Sequence, residues 1–532
     1  MEDHSVTEST MADVLRRQAQ TLGDHPFLLF DDRIFSYAQS DALVDSYARG
    51  LLALGVDEGT HVGIMMENGP EFLWLWLATA RLGAVSVPIN TAYKSGYLRQ
   101  VLDQAEVEIL AIDGVLADRA AAVDSELERL RDVVILGDEN PAFTRARVHR
   151  FADLPRTGGD PVERVVPPGA MATILYTSGT TGPSKGAMLS HTYWYDATVS
   201  SNDRRDIRPD DVFYVSSPMF HAAAWVVCLY SALTTGLPVG LDRRFSVSDF
   251  WNRARHYGAT QFFTMSAMHM WLLNAPPIEN DRDNPARVWG PVPLPPDLHQ
   301  KFKERFGIEH LWFTYGQTEA LMITCTDTRR PFKPGSAGWA RDGVELAVVD
   351  DDDNLLPPDT PGELVARPVT PNTLMSGYWN NPEASLRAFR NLWYHTGDIA
   401  RIDEDGEVFF LDRKADYLRV RGENVSSFEV EATVAGHPEV EEVAAYAIAA
   451  EPGSEDEVMI AVRRSMGSTL TERELAEYCI EHLPYFAVPR FIEFVADFPR
   501  TPTNRVQKYQ LRDKGLTGAV WDRVAAGLKV SR

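Results

Sequence analysis

Cysteine is scarce: Cys228, Cys325 and Cys479 stand far apart in a chain of 532 residues. Their spacing fits neither a disulfide framework nor a zinc module. Reduced or buried thiols of a cytoplasmic protein are the simplest reading. Long apolar runs are missing too. The most apolar run, residues 72–80, is too short to cross a bilayer, so no membrane span is expected. The start, MEDHSVTEST, is acidic and polar, and shows no signal peptide. Positive charge is in deficit, with 52 Lys and Arg against 76 Asp and Glu and a net charge of −24. Such a field repels nucleic acid, which is not expected as a partner. Any phosphate-bearing ligand must therefore meet basic residues gathered locally against the trend. What remains is a globular composition, 44% hydrophobic and 24% charged. The length implies at least two domains.

Against this background residues 176–186, YTSGTTGPSKG, stand out. Five hydroxyls (Thr177, Ser178, Thr180, Thr181, Ser184), three glycines (Gly179, Gly182, Gly186) and Lys185 fall within them. The apolar run 171–175 ahead of them reads as a buried strand, so the segment is a loop at a strand end. Glycines let backbone N–H groups turn toward an anion, hydroxyls add donors, and Lys185 adds a mobile charge. That is phosphate chemistry. The Walker pattern is absent, because Pro183 and Ser184 separate Gly182 from Lys185. A plain Ser/Thr/Gly surface loop is the alternative.

Taken in order, the chain alternates strand and helix. Thr10 can cap a first helix, and a second spans 37–54. Residues 61–66, 84–90 and 108–114 read as strands, with helices over 70–83 and 96–105 between them. Alternation of this kind predicts helix-covered parallel sheets, an α/β fold. Trp74 and Trp76 read as core. Residues 137–168 read as a surface connection. A buried-type strand precedes His221, and Met219, Trp225, Met265, Met268 and Trp271 form an apolar set with adaptable methionines. A helix over 298–306 and a strand over 310–316 lead into YGQTE, residues 315–319. Residues 344–367 form a hairpin with an acidic, solvated turn. Asp398 follows a glycine at a strand edge, where a carboxylate can grip a diol. Arg413, Lys414, Arg419 and Arg421 then break the acidic trend. A boundary falls there, dividing residues 1–412 from a compact unit, 413–532. That unit reads α+β, with helices at 428–435 and 471–483 and strands at 442–449, 457–463 and 490–495.

The loop 176–186, YGQTE, Asp398 with the D-R pair ending in Arg413, and PRTPTNRVQK at 499–508 resemble, in order and spacing, the signatures of the adenylate-forming superfamily. This family holds acyl-CoA synthetases, luciferases and peptide-synthetase adenylation domains. RGENVSSFEVE is most similar to the carnitine/crotonobetaine-CoA ligase branch. The resemblance implies a large α/β N-terminal domain carrying a β-barrel-like unit, and a small mobile α+β C-terminal domain. It implies an ATP/AMP site of Thr177, Ser178, Gly179, Thr180, Thr181, Gly182, Lys185, Gly290, Tyr315, Gly316, Gln317, Thr318, Asp398 and Arg413. Tyr315 would stack on adenine, Thr318 contact the α-phosphate, Glu319 hold Mg²⁺, and Asp398 with Arg413 hold the ribose. His221, Met219, Trp225 and Met265 would line the acid pocket. A histidine where amino-acid-activating relatives carry aspartate disfavours an α-amino acid. Arg419, Arg421 and Gly422 would serve coenzyme A. Relatives read G-G-A-P where this chain has Gly290 and Pro291. They also read G-K where it has Asn504 and Arg505, so either Arg505 or Lys508 supplies the adenylation charge, Arg505 being preferred. The implied activity is an ATP-dependent acid:CoA ligase acting through acyl-AMP on a small carboxylic acid. Two alternatives stay open: an acceptor other than CoA (a carrier protein, an amine, or nitrite as the acid), and a non-catalytic nucleotide-binding protein. A homodimer is left open.

Overall fold

The apolar run too short for a membrane forms helix Pro70–Arg81, buried at every residue except Glu71. A helix apolar all round belongs inside a core. Trp76 stacks on Trp225 with ring centres 4.1 Å apart and meets Trp194 edge-on. Its indole N–H donates to the Tyr230 hydroxyl at 2.7 Å, so the one polar atom of this ring is satisfied. In a computed structural model, residues 10–177, 184–265, 267–414, 418–420, 423–425, 427–449, 456–483, 487–500 and 505–530 are described.

Two seven-stranded sheets contribute to the cluster around this helix. One runs Arg147–Arg150, Asp132–Leu136, Ile109–Asp113, His61–Met65, Val85–Pro88, Met171–Tyr176, Gly186–Ser190. Its pairings are parallel until the last, which is antiparallel. The other runs His310–Leu311, Val288–Val292, Gln261–Met265, Phe213–Val215, Val239–Leu241, Pro26–Phe30, Arg33–Ser36. The alternation of strand and helix thus produces helix-covered α/β sheets; Thr10 caps its helix as expected, and Ser36 starts the next with a capping box of its own.

One expected strand divides. Residues 310–316 split into His310–Leu311, which stays in the second sheet, and Thr314–Gln317, which pairs with Ala320–Cys325. The backbone changes partners between them: Trp312 N–H bonds to Trp289 O, while Phe313 N–H bonds to the Thr326 hydroxyl. The hairpin expected at 344–367 forms the start of an antiparallel sheet, Val344–Val349, Gly362–Pro368, Tyr394–Ile402, Val408–Arg413. Backbone bonds of 2.8 Å between Val408 and residues 337–338 join it to the short sheet containing Thr314–Gln317.

A separate core is drawn from residues after 424. Strands Val440–Ala449, Asp456–Arg464, Phe491–Phe494 and Trp521–Asp522 form its sheet, with helices Ser427–Ala435 and Glu472–His482. This is the smaller α+β domain that the sequence predicts, with element ends shifted by a residue or two.

Within the large domain a buried ion pair ties layers together. Arg341, whose side chain is fully buried, pairs with Asp196 on helix His191–Asn202 and donates to Thr373 O at 2.8 Å. Removing the guanidinium strands a buried carboxylate. Arg341→Met is therefore expected to lower unfolding free energy by about 3–5 kcal/mol, measured by urea titration. A loss under about 1 kcal/mol would show that water reaches Asp196.

Candidate active site

A cavity of about 2400 Å³ opens between the large domain and the small one, with walls from both. The hairpin of Met171–Tyr176 and Gly186–Ser190 carries the phosphate-type loop to its edge. Thr177 N–H closes the base of the loop on Lys185 O at 3.0 Å. A Cβ on Gly186 would lie 2.6 Å from Ile174, so only glycine fits where the loop rejoins the sheet. Thr177, Ser184 and Lys185 line the cavity, and Ser184 shares a hydrogen bond with the Tyr93 hydroxyl. Ser178, Gly179, Thr180, Thr181 and Gly182 lie outside the described residues.

YGQTE forms a hairpin. Gln317 pairs with Ala320, leaving Thr318 and Glu319 at a two-residue turn. Gly316 is required, because a Cβ there would meet Met322 N at 2.4 Å. Buried Tyr193 pins the turn: its hydroxyl donates to Thr318 O at 2.6 Å and accepts from Leu321 N–H at 2.8 Å. Glu319 Oε1 accepts from the Tyr378 hydroxyl at 2.8 Å. The Lys185 ammonium rests 4.5 Å from the centre of that same tyrosine ring. Sequence reasoning missed Tyr378. Its signal is the glycine–aromatic run Gly377, Tyr378, Trp379, which lies along Gly186–Ser190 through bonds such as Trp379 N–H to Gly186 O at 2.8 Å.

Asp398 is 1% exposed and heavily bonded. Tyr315 donates to its Oδ2 at 2.5 Å, Gln317 at 2.6 Å, and Arg413 Nε lies 3.1 Å from Oδ1. Burial raises its pKa and Arg413 opposes that rise. The Tyr315 ring faces Phe410 in near-parallel stacking at 5.9 Å. Tyr315, Gly316, Gln317, Thr318, Glu319, Asp398 and Arg413 all line the cavity.

His221 lines it as well, and burial followed by the charge of Arg505 lowers its pKa to about 4, so it is neutral at pH 7. After it the chain winds as a π-helix, Ala224–Leu229. Buried Arg205 donates to Val227 O at 3.1 Å and to Ser231 Oγ, which in turn donates to Val226 O. Those bonds satisfy carbonyls that a wider helix leaves poorly matched. Met265 lines the cavity, but two expected wall residues do not. Met219 and Trp225 are fully buried, Met219 holding Asn68 through its N–H and Trp225 sitting under Trp76. Their apolar character belongs to the core. Gly290 is likewise interior, inside strand Val288–Val292 against Phe263 and Trp312, and the wall begins two residues later at Val292.

The two basic candidates of the small domain separate clearly. Arg505 lines the cavity, electrostatically coupled to Asp398, Arg413 and His221. Lys508 points into its own domain, 2.8 Å from Glu431 Oε1 and from the Ser427 hydroxyl. Arg419 sits in strand Leu418–Val420 opposite Asn424. Arg421 and Gly422 lie outside the described residues. The cavity thus brings together groups suited to a polyphosphate, a hard cation, a diol and a carboxylate. Elsewhere Asp206, Glu309 and His310 come within 4.8 Å of one another, but Arg208 and Arg287 already neutralise the two carboxylates.

Known proteins agree with this geometry. The family model described as AMP-binding enzyme matches residues 15–379, and that of its C-terminal domain matches 429–505. A crotonobetaine/carnitine–CoA ligase from Salmonella arizonae is 30% identical over 488 residues, 90% of this chain and 93% of that one. ATP-bound MatB from Rhodopseudomonas palustris superposes with a TM-score of 0.82 at 28% identity, over 94% of this chain and 98% of that one. Its apo form scores 0.72 over the same shares. O-succinylbenzoate coenzyme A synthetase from Bacillus subtilis, with AMP, shares the fold at TM-score 0.82 and 24% identity, covering 95% and 99%. Matched in sequence order by both parts of one family, the chain belongs to the AMP-binding enzymes, the adenylate-forming, AMP-forming ligases.

Proposed function

We propose that this protein is an ATP-dependent acid:CoA ligase working in two half-reactions. A substrate carboxylate oxygen attacks the α-phosphorus of ATP, forming the acyl-AMP anhydride and expelling pyrophosphate. The thiolate of coenzyme A then attacks the acyl carbon and expels AMP. The observation that carries this reading is the convergence on one cavity of Lys185, Glu319, Asp398 with Arg413, and Arg505. The name of the crotonobetaine/carnitine–CoA ligase supports it.

Each residue then has a task. Backbone and hydroxyl groups of Thr177–Gly182 with Lys185 hold the β- and γ-phosphates. Thr318 meets the α-phosphate, and Asp398 and Arg413 hold the ribose, with Tyr315 beside the adenine. Glu319 would hold Mg²⁺, which would supply positive charge to offset that of the phosphates. Neutral His221 and Met265 border the acid, whose carboxylate is oriented by the Arg505 guanidinium. Arg419, Arg421 and Gly422 serve coenzyme A. Residues 413–532 form the moving domain, gating the two steps by rotation. The higher score against ATP-bound than apo MatB supports reading the present arrangement as the adenylating one.

A substrate panel and four variants check this. Pyrophosphate release across a panel of carboxylic acids should depend on the acid, and acyl-CoA should form only with CoA; product formed equally well on another nucleophile would move the acceptor elsewhere. Arg505→Ala should depress adenylation by roughly 10²–10³ while thioester formation from synthetic acyl-AMP survives. Lys508→Gln, checked for folding because it breaks the Glu431 pair, should leave adenylation within about tenfold; abolition by this change alone would reverse the assignment. Tyr378→Phe keeps the ring under Lys185 but frees Glu319 from its donor. The Mg²⁺ concentration for half-maximal exchange should rise about tenfold, and Mn²⁺ binding seen by electron paramagnetic resonance should weaken in parallel. Glu319→Gln should abolish both.

A further inference from the structure

The wall beside His221 has a chemistry of its own. Ala223, just ahead of the π-helix, and Val226 within it, Phe263 and Met265 of strand Gln261–Met265, and Leu321 and Met322 of strand Ala320–Cys325 line the cavity and belong to one apolar cluster. Among the described residues, the carboxylates that line the cavity lie away from this cluster or are committed. Glu319 is bonded to Tyr378, and Asp398 to Tyr315, Gln317 and Arg413. Glu363 is taken by Lys414 at 3.0 Å and Arg390 at 3.1 Å. Asp103 stands near Tyr176 at the phosphate-loop strand, Glu106 pairs with Arg129, and Asp297 stands near His299.

The imidazole of His221 is neutral, and the charge coupled to it is the cation of Arg505. A ligand here therefore meets positive charge at one end and hydrocarbon over the rest. Burying an unpaired cation in such a sleeve is costly, and Arg505 adds repulsion. Cations bound without a carboxylate need a cage of several aromatic faces. Phe263 is the aromatic ring of these six residues and already meets Trp312 edge-on, while Phe220, Trp271 and Phe313, which also line the cavity, are packed on His221, Phe245 and His299.

We propose that the acid activated here carries its single charge on the reacting carboxylate and is otherwise uncharged and apolar, aliphatic or aromatic. It is not a quaternary-ammonium acid of the kind named for the crotonobetaine/carnitine relatives. This inference rests on the ligase reading. A divalent acid is disfavoured on the same ground, because the six sleeve residues are uncharged and the lining cations Arg390, Arg413 and Lys414 are paired with carboxylates.

Binding and turnover separate the two claims. Non-hydrolysable acyl-sulfamoyl adenosines bearing hexanoyl, benzoyl, 4-trimethylammoniobutanoyl and succinyl groups can be titrated calorimetrically into the full-length protein. The hexanoyl or benzoyl compound should bind tighter than the cationic and dianionic ones by roughly 10²-fold or more. Equal or inverted affinities would overturn the inference even where adenylation proceeds. Failure of every corresponding free acid to support pyrophosphate exchange would instead overturn the ligase reading. Met265→Glu, with Met265→Gln as its neutral control, places an anion in the half-buried part of the sleeve. The affinity ratio should move toward the cationic compound by about tenfold or more relative to the control. An unmoved ratio would place the acyl group elsewhere.

Discussion

A chain of net charge −24 that binds a polyanion must hold its cations in reserve at one place, and must keep them from collapsing onto its own surplus of carboxylates. The cavity does so by giving those cations partners that a ligand can replace or join. Lys185 rests on the Tyr378 ring, Arg413 on Asp398 and Lys414 on Glu363. A cation–π contact at a partly open site is worth about 0.5–1 kcal/mol. That is small beside a charge-assisted bond to phosphate, so the lysine is ordered without being captured. Everything around it serves this arrangement. The antiparallel end of the first sheet carries the loop, the Gly377–Trp379 run lies along that strand, and Tyr193 fixes the turn that presents Glu319.

Much of this was legible in the sequence, because the informative signals were local. Period and the Thr10 cap gave the first two helices, and patterning gave the buried strands and the acidic hairpin turn. Residue-type signals singled out Lys185 and YGQTE, both of which line the cavity, although residues 178–183 lie outside the described residues and the turn at Thr318 and Glu319 carried no signal of its own. What failed depended on distant partners. Met219 and Trp225 have the right composition for a pocket wall, but their direction is decided by Asn68 and Trp76, roughly 150 residues earlier. Gly290 has the right spacing, yet two bulky neighbours, Phe263 and Trp312, occupy the space beside it. The strand over 310–316 looked continuous because apolar patterning cannot show where a backbone changes sheets. Tyr378 escaped notice because a tyrosine in a loop carries no periodic signal.

The pair Arg505 and Lys508 shows how three residues of separation become two environments. Lys508 opens the short helix Lys508–Lys514 and its ammonium satisfies Glu431, a carboxyl whose pKa is raised by burial. Arg505 precedes that helix and reaches the space between the domains. The small domain therefore uses one basic residue to hold itself together and offers the other to the cavity. Spacing alone could not make that division, since it depends on where Glu431 lies on helix Ser427–Ala435.

The π-helix Ala224–Leu229 gives the proposed acid sleeve an unusual kind of adaptability. In ordinary helices the identity of side chains sets the shape of a wall; here the number of residues does. A π turn closes i to i+5, one residue more than an α turn. Losing a single residue from 224–229 would restore α closure and turn His221 and Ala223 by about 100° relative to the residues that follow. Arg205 and Ser231, which hold the carbonyls of Val226 and Val227 from outside the turn, would keep the backbone satisfied through such a change. The reach and contour of the sleeve can thus evolve by one-residue deletion, without a substitution at any position that lines it.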